Sequence, residues 1–139
     1  MSEAIAGVGT QFKREDPDSS GTYTAVAEVN SISGPSMTRA FIDVTSLDST
    51  GGYREFIAGF RDAGEVTLSM NFTITGYNMM KDDFQTDGAV YYQIVLPDSG
   101  NTTLQFAGYV TALPLNIVPD DKVTCDVTIK ITGEVELTT

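Results

Sequence analysis

From Glu65 to Thr75 the sequence EVTLSMNFTIT alternates between apolar and polar residues without a break. Val66, Leu68, Met70, Phe72 and Ile74 fall on one side, and Thr67, Ser69, Asn71 and Thr73 on the other. A period of two predicts a strand with one face in a core and one in water. Near the C-terminus KVTCDVTIKITGEVEL repeats it, with Val123, Cys125, Val127, Ile129, Ile131, Val135 and Leu137 inward. Thr124, Asp126, Thr128, Lys130, Thr132, Glu134 and Glu136 then point outward. Cys125 reads as a small buried apolar residue, the usual fate of a free cysteine.

Further strands accompany these two. AVYYQIVL (89–96) and TLQFAGYVTAL (103–113) are rich in aromatic and β-branched residues, and Pro97-Asp98-Ser99-Gly100-Asn101 between them is a turn, which predicts a hairpin. TYTAVAEV (22–29) and RAFIDV (39–44) read as strands around the Ser33-Gly34-Pro35-Ser36 break. One short helix fits Asn78 to Gln85: Asn78 caps its first turn, Met80 and Phe84 share a face, and Asp82 and Asp83 stay in water. Residues 1–21, ending in REDPDSSG, read as a polar, flexible arm, and 22–139 as a single domain with a long loop over 45–64.

That loop, TSLDSTGGYREFIAGFRDAG, fits neither period cleanly. Tyr53, Phe56, Ile57 and Phe60 have the spacing of an amphipathic helix, but Gly59 lies among them and Gly51-Gly52 and Gly64 flank them. Each interior glycine costs about 1 kcal/mol relative to alanine. Two readings stay open: an excursion packed on its own core, or a docking element. Long unstructured connections in compact domains are usually functional. Arg54, Glu55, Arg61 and Asp62 interleave with the aromatics as in an interface with an apolar centre and a polar rim.

The architecture that follows is mainly β: a two-sheet β-sandwich or partly closed barrel with one short flanking α-helix. Eleven residues at about 3.3 Å each span ~35 Å. The outer face of strands this long carries hydroxyls and an amide rather than the usual lysines and glutamates. It is either an ordinary solvated surface or the wall of an aqueous space.

Composition narrows the chemistry. The 139 residues suit one domain with a sizeable core. With no histidine and one cysteine, an intrachain disulfide, the common zinc sets and every His-dependent catalytic arrangement are absent. No metal, cofactor or catalytic residue is expected. Asp16-Pro17-Asp18-Ser19-Ser20-Gly21 imitates the opening of a calcium loop, but Ala27 stands where the bidentate glutamate belongs. Gly7-Val8-Gly9 lacks a third glycine, and the pairs Asp82-Asp83 and Asp120-Asp121 read as solvated carboxylates rather than an acid and a base. The net charge of −11 argues against a surface that grips phosphates. The start has no signal-like apolar run and no stretch reaches membrane-span length, which predicts a chain made in a cytosol and not inserted in a membrane.

The stretch AEVNSISGPSMTRAFIDVTSLDSTGGYREFIAGFRDAGEVTLSMNF resembles the segment that marks major tail tube proteins of long, non-contractile-tailed, lambda-like phages. The resemblance is carried by the break at Ile32 to Pro35, the strand end Asp43 to Thr45, the turn Ser49 to Gly52, and Arg54 to Val66. It implies a β-sandwich with one helix that assembles into sixfold rings stacked as a hollow tube for genome passage. The arm and the long loop would bridge successive rings, and long strands of neighbouring subunits would line the channel. Implied partners are copies of the same chain, tail tip and tail terminator proteins, and a tape measure protein in the lumen, within a virion assembled in the host cytoplasm. DNA would pass without being bound.

Under this resemblance Tyr53, Arg54, Glu55, Phe56, Ile57, Phe60, Arg61 and Asp62 are expected between subunits. Thr67, Ser69, Asn71 and Thr73, with Asp126, Thr128, Lys130 and Glu134, are expected to face the lumen. The alternative from another class is a carbohydrate- or receptor-binding β-sandwich module, with Tyr91, Tyr92 and Tyr109 stacking on sugars.

Overall fold

The computed structural model describes residues 7–16, 21–26 and 28–138. Among the described residues ten strands and one α-helix follow the chain: β1 (Gln11–Glu15), β2 (Tyr23–Ala25), β3 (Val29–Ser33), β4 (Thr38–Asp43), β5 (Phe56–Asp62), β6 (Glu65–Asn71), α1 (Ile74–Gln85), β7 (Val90–Val95), β8 (Thr103–Ala112), β9 (Leu115–Asn116) and β10 (Thr124–Thr138). An eight-stranded sheet has the order β2-β1-β7-β8-β10-β6-β3, with β9 continuing the β8 side of β10. β4 and β5 form a separate two-stranded sheet. The mainly β, two-sheet, one-helix expectation holds.

The large sheet curls around one core. Phe12, Val66, Leu68, Met70, Tyr92, Phe106, Cys125, Val127 and Ile129 are buried at its centre, and Met80 of α1 closes it. The alternation of β6 and of the first half of β10 therefore means what it predicted, and Cys125 is buried as expected. The β7–β8 hairpin forms in register, Val95 opposite Thr103 and Tyr92 opposite Phe106.

Several boundaries differ from the sequence expectation. Strand β6 stops at Asn71, because Thr73 becomes the helix N-cap and its Oγ1 accepts the Gly76 N–H at 3.0 Å. Ile74, expected inward, is the first helical residue and stays 66% exposed. Helix α1 thus begins four residues before Asn78 and is capped by Thr73 instead. Its buried face carries Met80 and Asp83, while Phe84 faces water. The predicted strand 22–29 is split by Glu28, which sits at φ 59, so β2 and β3 lie at opposite edges of the sheet. The predicted arm is interrupted by β1, whose Phe12 enters the core; residues 1–6 and 17–20 of that expectation lie outside the described residues, as does most of the calcium-like loop.

Asp83 is not in water but under the sheet. Arg14 of β1 is also buried and donates from Nε (2.7 Å) and Nη2 (2.6 Å) to its carboxylate, and the Tyr92 hydroxyl donates to Oδ2 at 2.8 Å. Each polar group in this cluster finds a partner, which burial requires. The carboxylate holds the guanidinium charged, and burial with the same negative neighbour pushes the Tyr92 phenol up, so it donates at any working pH.

Two glycines set the β4–β5 ribbon against the sheet. Gly34 (φ 108) and Gly64 (φ 78) occupy the left-handed region that side chains avoid. A Cβ at Gly64 would overlap the Ser36 carbonyl oxygen, and one at Gly34 the Glu65 carbonyl oxygen. The Gly64 carbonyl accepts the Ile131 N–H at 3.0 Å, tying the ribbon's exit to β10.

Candidate functional site

The segment 45–64 is neither an α-helix nor an unstructured loop. Its second half, β5, pairs antiparallel with β4, Ile57 opposite Ile42 and Phe56 opposite Asp43. The helical spacing of Tyr53, Phe56, Ile57 and Phe60 is therefore coincidental, and a bulge between Arg39 and Phe41 accommodates Gly59, whose missing Cβ lets the Ala40 backbone approach. The tip, 44–55, is held by local bonds: Thr45 Oγ1 accepts the Glu55 N–H at 2.7 Å, and Arg54 meets Asp43 at 3.1 Å.

This ribbon fills no core. Phe41, Ile42, Leu47, Tyr53, Phe56 and Ile57 are all exposed, and Phe60 is 94% exposed. None belongs to the buried cluster. Large apolar side chains exposed together on one element are the mark of an interaction surface. The expected docking residues Tyr53, Arg54, Glu55, Phe56, Ile57, Phe60, Arg61 and Asp62 all lie on it, and the core-filling alternative fails. The apolar partners on β4 were missed, although RAFIDV already placed Phe41 and Ile42 in a strand.

A second surface lies on the outer face of the large sheet. Thr67 stands opposite Thr128, Ser69 opposite Asp126, and Asn71 opposite Thr124. Ser31 and Ser33 of β3 extend it beside Ser69 and Thr67. Lys130 lies opposite Glu65 and reaches Asp62 at 3.5 Å. Six of the eight residues expected in the lumen share this hydroxyl-rich side: Thr67, Ser69, Asn71, Asp126, Thr128 and Lys130. Thr73 does not, since its hydroxyl is engaged at the helix N-terminus. Glu134 lies beyond Gly133 (φ 85), where the β10–β8 register shifts, and is exposed.

Strand β10 also outruns its neighbour β6. The β6 ladder ends at Lys130, whereas β8 accompanies β10 to Thr138. From Thr132 onward one edge of β10 therefore has no strand beside it among the described residues. A cleft of about 550 Å³, lined by Met37, Arg39, Arg61, Gly133, Glu134 and Val135, separates that edge from the ribbon.

The model of the family described as "Lambda phage tail tube protein, TTP" matches residues 5–138. The chain belongs to the lambda phage tail tube protein family. It is a structural tail tube protein of the virion. Among solved structures it is similar to a chain from the tail of an empty gene transfer agent particle, with a TM-score of 0.79, 23% identity, and 98% and 100% of the two chains covered. A chain from the SPP1 tail tube matches with a TM-score of 0.71 at 10% identity over 95% of this chain and 78% of that one. A chain from the sheath-tube complex of an extracellular contractile injection system matches at 0.72 and 14% identity, over 98% and 92%. At these identities the likeness is one of fold. Comparison with curated protein sequences gives no significant match.

Tyr92, one of the aromatics of the sugar-binding alternative, is fully buried, while Tyr91 and Tyr109 remain on the outer face.

Proposed function

We propose that this tail tube protein closes into rings of six that stack into a hollow conduit for the phage genome. The observation that carries this is the separate β4–β5 ribbon, whose large apolar side chains have no core of their own to fill. A subunit that repeats head to tail needs such an element, because every copy must present a surface that another copy covers. Within the ring, the open edge of β10 offers backbone donors and acceptors for strand addition. The gene transfer agent tail was refined with C6 symmetry, which supports six subunits per ring.

Paired long strands from all copies then line the lumen, with Thr67, Ser69, Asn71, Asp126, Thr128 and Lys130 facing it. Neutral hydroxyls in a chain of net charge −11 hydrate the channel without holding phosphate. DNA passes because nothing binds it. A tape measure protein occupies the lumen before ejection, and tail tip and terminator proteins end the stack, as baseplate and cap assemblies contain similar folds. The role is structural and non-enzymatic.

Negative-stain microscopy of the concentrated protein tests the reading. Wild type is expected to form tubes or stacked rings. A variant with residues 38–62 replaced by a short Gly-Ser linker is expected to keep the circular dichroism of the large sheet and form no tubes. The whole ribbon is removed because β5 deleted alone would strand β4. Unfolding of that variant, or tubes without the ribbon, would overturn the role given to the ribbon, and a wild type that never polymerises would overturn the tube.

A further inference from the structure

The ribbon carries an electrostatic oddity. Arg39 of β4 stands directly opposite Arg61 of β5, and like charges so placed weaken a ladder. Neither has a carboxylate within salt-bridge distance among the described residues, although the chain is strongly acidic. Of the other cations, Arg14, Arg54 and Lys130 each have one, and Lys13, Lys81 and Lys122 have none among the described residues. Glu134 shares the cleft with both arginines and still meets neither.

The complementary surface is at the other end of the same strands. The ribbon leaves the sheet where Gly64 meets Ile131. The strap between β9 and β10 lies where Thr124 pairs with Asn71, seven residues along β10 and roughly 23 Å away at ~3.3 Å per residue. That strap exposes Leu115, Ile117 and Val118, and beside them Asp120 and Asp121. Asp121 accepts only the neighbouring Lys122 N–H, at 2.7 Å, and Asp120 has no side-chain partner among the described residues. Lys122 offsets part of the charge, leaving the strap with a net single negative charge from Asp120, Asp121 and Lys122.

We infer that the β4–β5 ribbon of one copy docks on the Leu115–Asp121 strap of the copy in the next ring, with Arg39 and Arg61 against Asp120 and Asp121. The occupant is a second copy because the two surfaces are matched in both chemistry and position. Phe41, on the same face of the ribbon as the arginine pair, meets Ile117 and Val118 flanked by aspartates. Donor and receiver lie at opposite ends of one subunit, so the contact repeats along the stack without limit. Opposed charges at the rim of an apolar contact fix its register and exclude the inverted arrangement.

This pairing presupposes that the chain builds a tube, and a charge swap separates the two ideas. The critical concentration for polymerisation is measured by sedimentation and negative stain at fixed salt for wild type, R39E/R61E, D120R/D121R, and all four substitutions together. Each double variant is expected to raise it by about tenfold or more, and the fourfold variant to return to within about threefold of wild type. Circular dichroism matching wild type shows that the exposed substitutions leave the fold intact; Arg39→Gln with Arg61→Gln replaces R39E/R61E should the reversal disturb the ribbon, with a smaller rise expected. Wild-type tubes together with an unaffected R39E/R61E variant overturn the pairing and leave the tube. Loss without rescue assigns the arginines to another acidic surface and overturns the strap. A wild type that never polymerises removes both ideas.

Discussion

Replacing Asp83 by alanine probes how α1 is fixed to the sheet. The carboxylate is 3% exposed and accepts from the Arg14 guanidinium and the Tyr92 hydroxyl, and Arg14 itself is only 9% exposed. Removing it leaves a cation buried without its counter-charge, which costs about 3–5 kcal/mol. The stranded phenol adds about 1–3 kcal/mol, less than additively because the groups share one network. A total near ~4 kcal/mol is a large share of the roughly 5–15 kcal/mol of a typical domain. The assay is urea unfolding of dilute protein followed by far-UV circular dichroism, since the chain has no tryptophan. A companion variant, Arg14→Met with Asp83→Leu and Tyr92→Phe, removes every polar member at once and is expected to recover most of the loss. A single substitution costing under about 1 kcal/mol, or a triple variant no better than the single, would refute the anchoring argument.

The lumen assignment is tested by placing lysines at Thr67, Ser69 and Thr128, which share one face of β6 and β10. Tubes should form normally while genome ejection slows about tenfold or more, because cations now hold passing phosphates; unchanged ejection would reject the assignment. Burial, with Asp126 alongside, pushes the Cys125 thiol above its ordinary range. A thiol reagent should label native protein about a thousandfold more slowly than urea-unfolded protein, and fast native labelling would place Cys125 outside the core.

Where burial alone sets a side chain's direction, the sequence was easy to read. β6 and β10 alternate because one face is dry, and Val66 to Met70 and Cys125 to Ile131 fell where the pattern put them. The ribbon was harder, since it has no dry face: β5 lies against β4 and otherwise in water, so no buried side imposes a period of two on its apolar residues. The start of α1 was hidden for a related reason. Thr73-Ile74-Thr75 has strand-like side chains, and only the hydroxyl of Thr73 turning to the Gly76 N–H marks the change. Asp83 looked solvated because its counter-ion, Arg14, is 69 residues away in sequence. The arginine pair became visible only with the β4–β5 register, which brings Arg39 opposite Arg61.

The backbone contacts at Gly34 and Gly64 have a mechanical meaning for a long filament. With a carbonyl oxygen pressed where each side chain would begin, the angle at which the ribbon leaves the body is fixed to the precision of a van der Waals contact. An angular error at one joint is multiplied by every layer above it. Under the proposed docking between rings, the straightness of a whole tail depends on two positions too cramped to admit a methyl group.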